Sequence, residues 1–220
     1  MLKELARLDG LGWIRLLYTY PDMINEELLE LMAREPKICK YLDIPLQHIS
    51  DKVLSRMNRR STADSIKSKL REAKTLMSEL SLRTTFIVGF PGESDKDFAQ
   101  LVDFVEEFEF NKLFVFEYWR EAGTPAANYK RQAPPEVKKA RAKRLIDKQS
   151  EIIDRMNKKM IGKELTILMD TPVFGRSQGE APDIDGGIEC FVNKKVFPGE
   201  FLKVRITAAE GYYRKGFPLT

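Results

Sequence analysis

Four short runs of β-favouring apolar residues alternate with helical stripes through the first half of the chain. Trp13 to Tyr18 is the first run, closed by Tyr20-Pro21-Asp22, and Tyr41 to Ile44 is the second, closed by Pro45-Leu46-Gln47-His48. Arg83 to Val88 and Leu113 to Phe116 are the third and fourth. Between them the apolar positions change period. Asn25 caps a helix through about Arg34, with Ile24, Leu28 and Leu31 as apolar positions. Ser50 caps a short helix carrying Val53, Leu54 and Met57. A longer helix from about Ser61 to Leu80 carries Ile66, Leu70, Ala73, Met77 and Leu80 on one stripe, and Phe98, Leu101, Val102, Val105 and Phe108 mark another. Strand and helix in strict alternation predict a parallel α/β sheet, or part of a barrel, with right-handed crossovers.

The stretch Arg83 to Ser94 organises this half. Thr84, Thr85, Phe86, Ile87 and Val88 favour a pleated, buried surface, Gly89 breaks it, and Pro91-Gly92 turns the chain. Ser94 fits a helix N-cap, with Asp95 and Asp97 in the first turn. In a parallel sheet such a strand, turn and helix start faces the ligand side. A plain strand-to-helix connection, in which Gly and Pro only turn the corner, fits the same letters.

From Glu121 to Pro135 the chain reads as a linker, and Pro135 suits the first turn of a long helix to about Met160. One face of that helix carries Ala142, Leu145, Ile152, Met156 and Met160. The segment holds nine cations against four anions, the pattern of a solvated face or, less commonly, of a nucleic-acid contact. At Gly162 the period becomes two. Leu165, Ile167 and Met169, then Ile188, Cys190 and Val192, then Leu202, Val204 and Ile206 alternate with mostly polar neighbours between Gly and Pro turns. About sixty residues of this kind predict a small antiparallel, OB-like β-barrel. The expected division is a core over 1–160, with its connecting helix at 135–160, and a barrel over 161–220.

Composition narrows the picture. Hydrophobic residues make up 43% of 220, and no apolar run approaches the roughly 18 residues of a membrane span. The start of the chain does not read as a signal peptide, so a cytoplasmic protein with no membrane contact is expected. Cys39 and Cys190 are far apart in sequence and read as small buried hydrophobes rather than a disulfide or metal pair. A net charge of +4 permits contact with nucleic acid without arguing for it. No Ser/His/Asp constellation, phosphate loop or metal-ligand cluster is visible, and His48, the one histidine, reads as a hydrogen-bonded structural residue. The residues alone stop at an α/β ligand-binding sheet with an appended barrel.

Several stretches carry a resemblance. Tyr41 to His48 with Ser50 to Leu54 and Met57 to Arg60, Arg83 to Glu93, and Phe116 to Ala126 resemble the fourth, fifth and sixth barrel strands of radical S-adenosylmethionine (SAM) methylthiotransferases. The last sixty residues resemble the TRAM domain of that family. Gly175-Arg176-Ser177 and Glu180 to Gly186 are similar to the branch that modifies a ribosomal protein, and less so to the branch that modifies tRNA. Family members also carry three cysteines for an auxiliary 4Fe–4S cluster and a CxxxCxxC for a second, SAM-cleaving one. Neither is present here, so the resemblance implies a longer parent protein and a chain that is inactive alone.

The resemblance implies a partial radical SAM (β/α) barrel followed by a TRAM-like barrel. It implies a methylthio transfer to the β-carbon of an aspartate in small-subunit ribosomal protein twelve, with SAM and two 4Fe–4S clusters as cofactors in the full-length family. Ile87 and Gly89 would form part of the adenosine wall, with Gln47 and Tyr118 placed there by their strand-end positions. No residue is assigned a catalytic or metal-binding role. Glu180, Asp183 and Asp185, in a Gly/Pro-rich loop, would meet a basic protein substrate, although Asp183 and Asp185 also suit turns that bond their own backbone. From Lys163 on, eight Lys/Arg balance eight Asp/Glu, which favours a protein over a tRNA partner. The expected partner is ribosomal protein twelve or the ribosome, bound by a monomer. A tRNA-modifying enzyme and a non-catalytic, ribosome- or RNA-binding fragment are the alternatives.

Overall fold

The computed structural model describes residues 1–192 and 195–219. A short helix α1 (Leu2–Ala6) precedes strand β1 (Ile14–Leu16), helix α2 (Glu26–Arg34) and strand β2 (Ile38–Gln47). Helices α3 (Asp51–Arg56) and α4 (Ala63–Leu76) lead to β3 (Ser81–Val88). Helix α5 (Asp95–Phe108), strand β4 (Lys112–Glu117) and helix α6 (Pro135–Met160) complete the first half. The sheet order is β1-β2-β3-β4, the order of the sequence. Strands β3 and β4 pair in parallel, from Arg83 with Lys112 to Val88 with Glu117. The amides of Ile14 and Thr19 donate to the carbonyls of Lys37 and Asp43, so β1 and β2 also run the same way.

Several element bounds differ from expectation for identifiable reasons. Strand β1 is shorter because Tyr18 takes a positive φ of 55° and its amide turns to Asp43 Oδ2 at 3.1 Å. Strand β2 is longer because Pro45 sits inside it without breaking it, at the cost of one amide donor. Thr62 caps α4 by accepting from the Ser65 amide, so that helix begins at Ala63. Ser50 stands at the α3 N-cap, but its hydroxyl goes elsewhere, to Asp97 Oδ1 at 2.7 Å.

Along β3 the buried aromatic Phe86 meets Phe104 and Phe110 edge-on, at 6.2 and 5.8 Å between centroids. This is the core between sheet and helix. On the opposite face of β2 and β3, Asp43 pairs with Arg83 at 2.8 Å, and the Arg83 guanidinium lies 4.6 Å from the Phe114 ring centre.

The remaining strands are β5 (Glu164–Thr171), β6 (Phe174–Arg176), β7 (Gly187–Cys190), β8 (Phe201–Glu210) and β9 (Tyr213–Pro218). They close a barrel in the order β5-β6-β7-β9-β8 around Ile167, Met169, Ile188, Cys190, Val196, Val204 and Ile206. The expected antiparallel barrel is mixed, because β7 and β9 pair in parallel while the other pairings are antiparallel. By internal contacts the chain forms two compact units. One comprises Met1–Leu16, Leu31–Tyr41 and Glu151–Thr220, and the other Leu17–Glu30 and Leu42–Ser150. The division falls within α2, β2 and α6. No helix among the described residues is long and apolar enough to cross a membrane.

Candidate functional site

The ends of β2, β3 and β4 bring Gln47, Gly89 and Tyr118 to one edge of the second unit. Gln47 and Gly89 both adopt positive φ, 69° and 71°, as the chain leaves its strand. For glycine that conformation carries no side-chain penalty, whereas for glutamine it is uncommon. Tyr118 is buried against Val53 and Phe90, with Ile87 packed beside them. The Tyr118 amide donates to the Val88 carbonyl at 2.9 Å, which extends the β3–β4 ladder past its last paired residues.

The turn after β3 is held by a side chain that sequence reading did not single out. Glu93 Oε2 accepts from the amides of both Gly89 and Phe90. Arg141 of α6 reaches the same oxygen at 3.3 Å and also donates to the Glu93 carbonyl. His48 Nδ1 accepts from the Ser50 amide at 2.9 Å, so the ring proton sits on Nε2, which faces Glu93 Oε1 at 3.6 Å. The His48 and Glu93 side chains are fully buried. A buried carboxylate is sustained by such donors and by the facing cation. Glu93 and, from α6, Arg141 therefore fix the backbone at Gly89, with the His48 ring facing the other Glu93 oxygen. The signal for Glu93 was present in Gly89-Phe90-Pro91-Gly92-Glu93, where an acid closes a turn whose amides point inward. Nothing in the sequence marks Arg141 among the nine cations of α6.

The start of α5 is equally specified. Ser94 and Asp97 form a reciprocal capping box, and Asp97 also accepts from Ser50 and Lys52. Partial burial alone would raise the Asp97 carboxyl. The donors Lys52, Ser94 and Ser50 together outweigh it and hold the group well below the usual carboxylate range.

In the first unit, the acidic loop between β6 and β7 folds inward. Glu180 and Asp185 are only 3% and 2% exposed, whereas Asp183 is exposed at a positive φ of 67°. Glu180 Oε2 accepts from the Ser177 amide and hydroxyl, and Oε1 pairs with Arg214. Burial lowers Arg214 to about 10, which leaves it charged at neutral pH. Asp185 Oδ2 accepts from the Ala181 amide at 2.9 Å. Of the three acids expected to meet a substrate, the structure therefore places two inside the fold. Two of them satisfy buried donors, and Asp183 alone of the three stands in solvent.

The basic face of α6 is also largely engaged. Lys138 donates to the Tyr118 carbonyl, Arg141 holds Glu93 and Asp95, Lys143 pairs with Asp147, and Lys148 pairs with Glu106.

A model of the radical SAM superfamily matches residues 1–105, and a TRAM domain model matches residues 161–213. The ribosomal protein uS12 methylthiotransferase RimO of Elusimicrobium minutum is 48% identical over 216 residues, covering 98% of this chain and 50% of that protein. The chain belongs to the radical SAM methylthiotransferase family. RimO proteins of Desulforudis audaxviator and Geotalea uraniireducens are 43% and 45% identical, each covering 96% of this chain, and 48% and 49% of those proteins. The chain thus spans about half the length of the curated relatives it matches.

The family implies SAM, and the strand-end residues fit a nucleoside. Gln47 Oε1 and Tyr118 Oη are buried without a hydrogen-bond partner among the described residues. Such orphaned groups are costly unless a ligand or water satisfies them. Ile87 is half-buried beside them and apolar. The Gly89 amide is already used by Glu93, so this glycine can offer a ligand surface but not its donor. The family also implies 4Fe–4S clusters, which need three or four thiolates each. These residues do not fit one. The chain has two cysteines, both buried, and burial pushes both thiols up, away from the thiolate form.

Proposed function

We propose that this chain carries the SAM-facing strand ends and the terminal recognition barrel of a ribosomal protein uS12 methylthiotransferase. The observation that carries the reading is the match, along nearly the whole chain, to relatives named for that activity. The reaction is insertion of a methylthio group at the β-carbon of an aspartate of uS12. SAM, when bound, supplies the methyl group and the means of taking a hydrogen from that carbon.

The residues of this chain bind and orient. Ile87 offers an apolar face to the adenine, and Gly89 has no side chain to hold it off. Gln47 Oε1 accepts from a ribose hydroxyl, and a polar ligand atom satisfies the Tyr118 hydroxyl, which has no partner among the described residues. Glu93 and Arg141 keep the turn that carries Gly89 in shape. The two 4Fe–4S clusters depend on cysteines that this chain does not supply, so the chain taken alone does not turn over. It works as a cytoplasmic monomer on a basic protein, with Asp183 as the free carboxylate of the loop between β6 and β7.

A second reading has one specific observation in its favour. The barrel exposes Phe191, Phe197, Phe201, Tyr213 and Phe217, with Lys203, Arg205 and Lys215 also exposed, a mixture suited to stacking on bases. Titration of the chain against uS12 and against a tRNA anticodon stem-loop at equal salt separates the two. Tighter binding of uS12 is expected. Tighter binding of the stem-loop would transfer the chain to the tRNA-modifying branch.

A further inference from the structure

The cradle that Gly89 leaves open is already filled by the chain itself. A Cβ at Gly89 would lie 2.4 Å from Lys138 Cγ and 3.2 Å from Lys138 Cβ, so the lysine stem rests directly on the glycine. Beyond it, the ammonium donates to the Tyr118 carbonyl at 2.8 Å and sits 5.2 Å from the Tyr118 ring centre. Lys138 is half-buried, and among the described residues it has no carboxylate partner. One side chain of α6 therefore covers the ends of β3 and β4 together, on a residue read above as adenosine wall.

We propose that Lys138 is a ligand-displaced residue of the strand-end site. In the free chain its stem takes the surface of Gly89 and its ammonium takes the Tyr118 carbonyl, and a nucleoside that packs on Gly89 must move both. This rests on the reading of Gly89 and Ile87 as the adenosine wall. The physical case is steric first. An atom 2.4 Å from an added methyl leaves no room for a ring stacked on the same face. The electrostatic case agrees with it. A charge-assisted bond to a strand-end carbonyl is among the stronger neutral–charged contacts, so leaving it opposes binding. The carbonyl released is an acceptor for an exocyclic amine, such as that of adenine, so part of the cost is returned to a ligand carrying one. A nucleoside lacking that amine, such as inosine, receives no such return at the Tyr118 carbonyl.

Calorimetric titration of adenosine into the wild-type chain, Lys138→Ala and Lys138→Met tests the proposal. Adenosine should bind Lys138→Ala about tenfold more tightly than wild type, the equivalent of about 1.4 kcal/mol. Lys138→Met keeps a stem on Gly89 and loses the ammonium, so its affinity should fall between the two. A ligand-free readout is independent of these. Gly89→Ala should lower the melting temperature less in the Lys138→Ala background than in wild type, because the colliding stem is gone. Equal losses in the two backgrounds would show that Lys138 does not seat there and would overturn the proposal. Adenosine affinity unchanged or weakened in Lys138→Ala, with Gly89→Val abolishing binding to wild type, would overturn the displacement and leave the adenosine wall standing. Adenosine binding that Gly89→Val leaves intact, or none to any variant, would overturn the wall and the displacement together.

Discussion

Tyr41 Oη donates to Asp185 Oδ2 at 2.5 Å, a fully buried bond between residues 144 apart in sequence. Around it, Arg15 donates to the Ser177 carbonyl at 3.1 Å and lies over the Tyr41 ring, and Gln178 bonds both the Lys40 amide and the Pro36 carbonyl. The loop between β6 and β7 is thereby fastened to the β1 and β2 portions of its own unit. Tyr41→Phe removes one donor from a buried carboxylate and should lower stability by about 1.5–3 kcal/mol in urea denaturation. A loss within about 0.5 kcal/mol, the range of surface substitutions, would show that this bond does not hold the loop.

The three acids of the loop should separate by experiment. Glu180→Ala leaves Arg214 charged, buried and unpaired, and should cost about 3–5 kcal/mol. Asp183→Asn keeps a residue that tolerates the left-handed backbone, and should change stability by less than about 0.5 kcal/mol. Its effect should fall instead on association with uS12, slower at low salt and indistinguishable from wild type at high salt. Stopped-flow association at two ionic strengths checks this. A rate unchanged at low salt would remove Asp183 from the interface.

Asp97 gives a pH dependence with a definite sign. Its carboxyl is lower in the folded chain than its ordinary value near 4, so the folded state favours the ionised form. The contribution is complete above that ordinary value and is lost as pH falls through the folded one. Denaturation midpoints measured from pH 6 downward should therefore decline below about pH 4, and less steeply in Asp97→Asn than in wild type. Parallel declines in the two proteins would show that Asp97 is not responsible.

Helix α6 offers an internal control for burial. Leu145 is fully buried, whereas its neighbour Ile146 is 51% exposed. Leu145→Ala should cost about 2–5 kcal/mol, and Ile146→Ala far less. Similar costs would mean that the helix presents a different face.

Much of the fold was legible because its signals are local. The strand at Arg83 to Val88, the turn at Pro91-Gly92 and the cap at Ser94 depend on neighbouring residues, and each lies where its letters place it. Period two after Gly162 likewise marked the barrel. What stayed hidden depends on partners remote in sequence. The alternation that marks β7 does not say which neighbour it pairs with, and β9 (Tyr213–Pro218) carries no apolar alternation of its own, so the parallel pairing was not readable. Glu180 and Asp185 look like surface acids in a Gly/Pro-rich loop until Arg214 and Tyr41, 34 and 144 residues away, are beside them. Gly89 showed an open cradle, but nothing in the sequence shows Lys138 lying in it.

The ends of β2, β3 and β4 are proposed to receive the adenosine part of SAM. The most direct test is a nuclear magnetic resonance titration of the chain with S-adenosylhomocysteine, following the Gly89 and Tyr118 amides and the Ile87 methyl groups. Saturable shifts are expected at all three, with the barrel resonances of Ile188 and Val204 unmoved. Shifts confined to the barrel, or none at the three strand-end residues at saturating ligand, would contradict it.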